Sequence, residues 1–422
     1  MTPTLLAPAP ARAARPAAPA APAPDSARAR RHGFGFWAVA YAFLVVMAFC
    51  AVPTPLYAIY QARDGFSSFV VTIVFAAYAA GVVVSLFTVG HLSDWHGRRR
   101  VLIPALLLSI VSAVVFLLWH GLAALLVARV LSGLAVGAVT ATATAWIAEL
   151  HSARRPGASP KRAQLVGTAA NLGGIGLGPL VAGMLAQWVG DPLVIPYAVS
   201  IAALLIALVV VALSPDERAL PSPRPRYRPQ RVSVPAAARG RYFAAGAAAA
   251  IAFATFGLFT SLAPSFIAGT LGHTSHALAG AAAFVVFAGG VVAQAAIAAR
   301  SARQAVAAGI ATLLAGLVVV VAAVWLPQPS LALFLGGGVV AGAGAGMLFK
   351  GAIATVAALA APERRAEALA GIFLAGYIGI SLPVIGLGVL LQEVAPRVGL
   401  LSFAVLLALV IAAAAPKLLG RS

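Results

Sequence analysis

The residues of this chain able to do charge-dependent chemistry are few, and their placement limits what that chemistry is. Arg129 and Lys350 each stand inside a long apolar stretch. A cation there must face a cavity, a partner or a polar backbone group, because hydrocarbon cannot solvate it. Asp94 belongs to "GHLSDWHGRRR", residues 90–100, together with Gly90, Gly97, Arg98 and Arg99. Glu149, Glu363 and Glu367 sit at the ends of apolar runs, and Asp64, Asp191 and Glu393 in short connections. No Asp or Glu lies deep in an apolar run. This pattern suits ion pairing and charge-selective binding. Catalysis would need convergent His, Asp, Glu or nucleophile–base pairs inside the apolar segments, so an enzyme is not expected. Cys50 is the single cysteine, which excludes an intrachain disulfide, and no metal-ligand spacing is present. No G-x-x-x-x-G-K-[ST] loop occurs, so ATP does not enter as an energy source and no cofactor is expected.

The elements that hold these residues are membrane helices. Of 422 residues, 62% are hydrophobic and 9% charged, far below the roughly 25% charged of a soluble domain. Twelve apolar segments are each long enough to cross about 30 Å of hydrocarbon. They run 36–60, 68–92, 101–119, 122–148, 163–188, 193–213, 242–268, 277–299, 304–325, 331–358, 366–390 and 398–418. Outer-membrane strands would instead alternate over about 10 residues. Every Lys and Arg except Arg63, Arg129, Lys350 and Arg397 falls in a terminus or in alternate loops. That asymmetry puts both termini in the cytoplasm of a cell (plasma or inner) membrane. It also explains the +19 net charge without nucleic acid.

Residues 1–33 are rich in Ala, Pro and Arg and read as a disordered cytoplasmic tail. The Pro- and Arg-rich stretch 214–241 reads as a cytoplasmic linker. It separates a six-helix bundle at 34–213 from a second at 242–418, with residues 419–422 cytoplasmic. The two halves are weakly similar. Shifted by 209 residues, Pro55, Tyr57, Tyr78 and Gly81 meet Pro264, Phe266, Phe287 and Gly290; shifted by 203, Gly173, Gly176 and Gly183 meet Gly376, Gly379 and Gly386. Such internal repeats mark transporter folds.

Three motifs then carry a family resemblance. Gly90, Leu92, Asp94, Gly97, Arg98 and Arg99 match G-x-L-x-D-x-x-G-R-R/K-R/K, Arg129, Gly133 and Gly137 match R-x-x-x-G-x-x-x-G, and Gly174, Gly178, Pro179 and Gly183 match G-x-x-x-G-P-x-x-G-G with Ala182 in place of one glycine. With twelve helices in two halves, the chain resembles the major facilitator superfamily, in its twelve-helix drug/proton antiporter-like branch. The resemblance implies an all-α membrane fold of two six-helix pseudo-repeat bundles. It makes the 90–100 loop a latch between the halves, gives Arg129 a part in proton coupling, and makes the helix 5 motif that of an exchanger. It also implies inner-gate ion pairs, Glu149 with Arg162 and Glu363 with Arg365. The plainer readings are a topogenic basic loop, an arginine snorkelling outward, glycine packing, and exposed pairs worth little.

Lys350 admits two roles: binding an anionic group or alternating with a proton, or hydrogen bonding to backbone carbonyls. Asn171 and Tyr377 complete the set of coupling or cavity candidates. Pro53, Pro55 and Pro264 bend the far parts of helices 1 and 7. Phe253, Phe256 and Phe259 read first as a packing face. The expected function is alternating-access, proton-coupled export of small drug-like or metabolite molecules, neutral or anionic, by a monomer in the bilayer. The alternative is a proton-coupled importer of a small organic acid or sugar.

Overall fold

The computed structural model describes residues 26–90, 92–217, 238–361 and 364–420. The first bundle contains α1 (Ser26–Ala51), α2 (Pro53–Asp64), α3 (Ser68–Thr88), the short α4 (Leu92–His96), α5 (Arg98–Leu118), α6 (Leu122–Arg154), α7 (Lys161–Thr168), α8 (Gly174–Trp188) and α9 (Ile195–Ala212). The second contains α10 (Arg239–Ser261), α11 (Ala263–Gly269), α12 (His276–Ala296), α13 (Ala302–Trp325), α14 (Leu331–Leu359), α15 (Arg365–Leu390) and α16 (Pro396–Leu419). Twelve spans are long and apolar enough to cross a membrane, α1 with α2 and α7 with α8 each making one. No strand occurs among the described residues.

Two boundaries move. Residues 26–33 are helical rather than part of the tail. The stretch "SARARRHG" has no proline, and its side chains are anchored: Arg28 pairs with Glu217 at 2.8 Å, and the His32 ring lies 2.8 Å from the Arg28 carbonyl. The linker ends earlier than its composition suggests, because α10 begins at Arg239. Residues 1–25 and 218–237 lie outside the described residues.

Proline breaks two helices at matching places. Pro53 and Pro55 have no N–H to give to the carbonyls one turn earlier, and α1 ends in a turn at Val52. Pro264 does the same between α10 and α11, at Leu262. Elsewhere serines start helices: Ser67, Ser275, Ser301 and Ser330 each accept a backbone N–H from the first turn that follows.

Each bundle has its own apolar core. The bundles join through α8 against α12 and α3 against α15. Their close approaches lie toward the end remote from the chain termini, the far end. Gly183 faces the His276 backbone, Gly280 faces that of Pro179, and an added Cβ on Gly388 would meet Thr72 at 2.8 Å. There Gln187 of α8 accepts from the His276 N–H at 2.9 Å and from the Ser275 hydroxyl at 3.1 Å. Tyr377 and Ile380 of α15 are buried within the first bundle's core.

Candidate functional site

The helix break at Val52 and the glycines of α6 together build the most polar point in the first bundle's interior. Gly133 and Gly137 press onto α3, at the Tyr78 backbone and at Ser85. That close crossing brings Arg129, one and two turns earlier on the same face, across to α1 and α2. Arg129 is 1% exposed. Its Nε donates to the Tyr57 hydroxyl at 3.0 Å, Nη2 donates to the same oxygen, and Nη1 donates to the Cys50 carbonyl beside the break. The guanidinium carbon lies 5.5 Å from the Tyr57 and Tyr78 ring centres and 5.7 Å from that of Phe75. The Tyr78 hydroxyl points to the Cys50 sulfur at 3.6 Å, and the Tyr60 and Tyr197 hydroxyls meet at 3.0 Å. The side chain therefore turns into the bundle and not toward the interface. Hydroxyl and carbonyl dipoles and aromatic faces compensate its charge.

The "GHLSDWHGRRR" loop is tied down at the other end of the same bundle, the end bearing the termini. Gly97 has φ +98°, a conformation that a side chain would strain, and it turns the chain from α4 into α5. Arg98, 5% exposed, pairs with Asp94 at 2.8 Å and with Glu149 at 2.8 and 3.2 Å, and donates to the Ser93 hydroxyl at 2.6 Å. The Arg99 N–H donates to Asp216 at 3.0 Å, and its guanidinium to the Ala212 carbonyl at 3.1 Å. Gly90 donates to the Ser85 carbonyl at 3.1 Å. These contacts join α4 and α5 to α6 and to the segment after α9, all within the first bundle.

The expected gate pairs are corrected here. Glu149 is held by Arg98 rather than by Arg162, because α5 begins beside the last turns of α6. Arg162 lies instead 5.9 Å over the Trp37 ring. Glu363 lies outside the described residues, so its pairing with Arg365 does too.

Lys350 donates to the Gln294 carbonyl at 2.6 Å, in the last turn of α12. A cation on a helix C-terminus satisfies an orphan carbonyl and opposes the helix dipole. In this structure the ammonium makes a contact of the backbone kind. Asn171 lies in a five-residue π-helical segment, Ala169–Gly173, between α7 and α8 and against α1 and α12. Gly174 and Gly178 face the α1 backbone at Leu44 and Ala48, while Pro179 and Gly183 face α12. The helix 5 motif thus packs on both bundles at once.

Several contributors, or their grouping, were not read from the sequence, although Tyr377 was already a cavity candidate. Tyr57, Tyr78 and the Cys50 carbonyl became visible only once the Arg129 side chain had a direction. Phe253, Phe349, Phe373 and Tyr377, from α10, α14 and α15, form an aromatic cluster with ring centres 5.0 to 5.9 Å apart. Phe253 and Phe373 also touch the first bundle's core, so the cluster lies between the bundles. The three-residue phenylalanine spacing divides: Phe256 stacks on Phe287 and Phe259 packs on Phe334, as a packing face should, whereas Phe253 turns to this cluster.

A twelve-span fold in two bundles, with a buried arginine and a glycine-set basic loop, points to a class of membrane transporter. A family model described as the Major Facilitator Superfamily matches residues 34–315, and the chain belongs to that superfamily. Its fold is similar to the crystal structure of a mutant peptide transporter POT in complex with alafosfalin. The TM-score is 0.71 at 16% identity, over 91% of this chain and 94% of that one. A stretch of 83 residues is 35% identical to the arabinose-proton symporter of Bacillus subtilis (strain 168). That match covers 20% of this chain and spans 18% of the symporter's length.

Proposed function

We propose that the protein is a proton-coupled exporter of small amphipathic molecules, neutral or anionic, working by alternating access between its two bundles. The observation that carries this reading is Arg129: a fully buried cation, held by Tyr57 and the Cys50 carbonyl, in a chain with no acidic residue deep in any span. A lipophilic cation would find no buried carboxylate to pair with or to exchange for a proton. An acceptor group or anion would find a cation already desolvated. Arginine keeps its proton at any physiological pH, so Arg129 sets the field of the coupling site and does not itself release the coupling proton. The aromatic cluster of Phe253, Phe349, Phe373 and Tyr377 offers an apolar wall between the bundles.

In this reading both termini are cytoplasmic, the membrane is the cell membrane and the working unit is a monomer. The bundles span 26–213 and 239–419, and the Asp94–Arg98–Glu149 cluster braces the cytoplasmic end of the first bundle. The far end, where the helix 5 motif presses on α12, is the external gate. The test is proton flux in everted membrane vesicles energised to an acidic interior and followed with a pH-sensitive dye. Substrate-dependent dye recovery from a panel of neutral, anionic and cationic compounds is expected for neutral and anionic members, and absent in Arg129→Ala. Recovery with cationic compounds alone would overturn the substrate class. The short likeness to an arabinose-proton symporter favours a second reading, proton-coupled import of a small organic acid or sugar. It predicts substrate-induced alkalinisation outside intact cells and none of the exchange in everted vesicles.

A further inference from the structure

A groove of about 550 Å³ opens on the outer flank of the first bundle, near its termini end. It runs between α1 and α9, and Arg154 from the last turn of α6 closes one side. Its wall combines Arg30 and Arg154 with Phe34, Trp37 and Ile206. The apolar members are open to the surroundings: Phe34 is 46%, Trp37 52% and Ile206 55% exposed. Span α9 is the least enclosed of the twelve, with 28% of its most apolar window buried, so the groove faces the bilayer and not the central path.

The charges are arranged for an anion. Arg154 lies across α1 at Gly33, where an added Cβ would come within 3.2 Å of the guanidinium. Arg162 stands over the groove's Trp37 at 5.9 Å. Neither Arg30 nor Arg154 has a carboxylate within ion-pair distance among the described residues, although Arg28 two positions before Arg30 pairs with Glu217. Residues 218–237 contain five arginines and no acidic residue, and 1–25 contain two arginines and one aspartate.

We propose that this groove binds an anionic phospholipid from the leaflet at the termini end. The phosphate-bearing headgroup sits between Arg30 and Arg154, and an acyl chain lies along Phe34, Trp37 and Ile206. Basic pockets between membrane helices take such headgroups, and aromatic rings hold the interface level. The free anion is the other source of the same chemistry, and the apolar wall selects the lipid over it.

Trp37 reports on the site directly. The purified full chain is placed in nanodiscs of phosphatidylcholine doped with phosphatidylglycerol brominated in its acyl chains. The Trp37 signal is taken as the difference from a Trp37→Phe protein. Brominated phosphatidylglycerol is expected to quench Trp37 more than brominated phosphatidylcholine at equal mole fraction. Preference is expected to drop roughly fivefold in Arg30→Gln, whose side chain is exposed and makes no described contact, and further in Arg30→Gln/Arg154→Gln. Arg100→Gln, an exposed arginine away from the groove, should leave it unchanged. Equal quenching by both lipids, or preference retained in the double variant, overturns the proposal. Relief of quenching by inorganic phosphate at constant ionic strength overturns it too, by showing a site for the free anion.

Discussion

The two bundles share a scaffold and use its centre in opposite ways. The offset of 209 residues that pairs Tyr57 with Phe266 and Tyr78 with Phe287 also pairs Cys50 with Phe259 and Arg129 with Gly338. The glycines that follow are kept: Gly133 and Gly137 correspond to Gly342 and Gly346. In the first bundle the guanidinium fills the space between α6 and the break in helix 1. In the second the Phe259 ring fills it, 2.8 Å from where a Cβ on Gly338 would stand. Phe287 has no cation to face and stacks on Phe256 at 4.5 Å. A buried cation requires its hydroxyls and carbonyl together, and a dry core requires that all of them be removed together. The loops differ in the same sense. Arg98 gathers Asp94, Glu149 and Ser93, whereas the matching loop at Arg300–Arg303 holds an uncharged capping box between Ser301 and Gln304. The first bundle thus carries the charge chemistry, and the second offers an apolar counter-surface.

The comparison can be broken most sharply at Arg129. Arg129→Ala should reduce substrate-linked proton flux to that of vesicles without the protein. It should also destabilise the fold by about 1–3 kcal/mol, because the Cys50 carbonyl and Tyr57 hydroxyl lose their partner. Arg129→Lys should restore insertion and melting temperature better than flux, since one ammonium cannot reach both acceptors as a planar fork does. At the matching place in the second bundle the failure should be steric. Gly338→Ala should lower stability by about 1–3 kcal/mol through overpacking against Phe259, and Phe259→Leu should recover most of the loss. Detergent melting curves of the single and double variants check this.

Smaller effects sharpen the contrast between the loops. Arg98→Ala should cost about 1–2 kcal/mol, discounted because both of its carboxylates are more than a third exposed. Arg303→Ala should stay within about 0.5 kcal/mol of the parent. The smallest change is expected at Lys350, which is only partly buried. Lys350→Met removes one hydrogen bond to the Gln294 carbonyl, at about 1 kcal/mol, and should leave flux near the parent level.

Much of the architecture was legible because membrane spans announce themselves by length and polarity. Most of the twelve were placed within a few residues; α1 extends back to Ser26 through a stretch too basic to resemble a span, α6 runs on to Arg154, and the seventh span breaks after Ser261. Arg129 stood out in the sequence because a lone charge in an apolar run must either snorkel outward or find a partner, and the structure shows it turned into the bundle. Its partners did not stand out, since Tyr57 and Tyr78 lie 72 and 51 positions away and tyrosine is common in membrane helices. Glu149 was paired with Arg162 because the family resemblance implies inner-gate ion pairs flanking the loop between them. The fold brings Arg98 closer, a choice made by the Gly97 turn and not by sequence distance. The aromatic cluster was hidden for the same reason, its four rings coming from three separate helices.

The most direct measurement compares Arg129 with the partly buried Lys350 in one assay: substrate-dependent proton flux in everted vesicles containing equal amounts of inserted Arg129→Gln or Lys350→Gln protein. The account predicts that Lys350→Gln retains the dye recovery of the parent while Arg129→Gln shows none. Parent-level recovery in Arg129→Gln, with flux lost in Lys350→Gln, would contradict it and move the coupling centre to the second bundle.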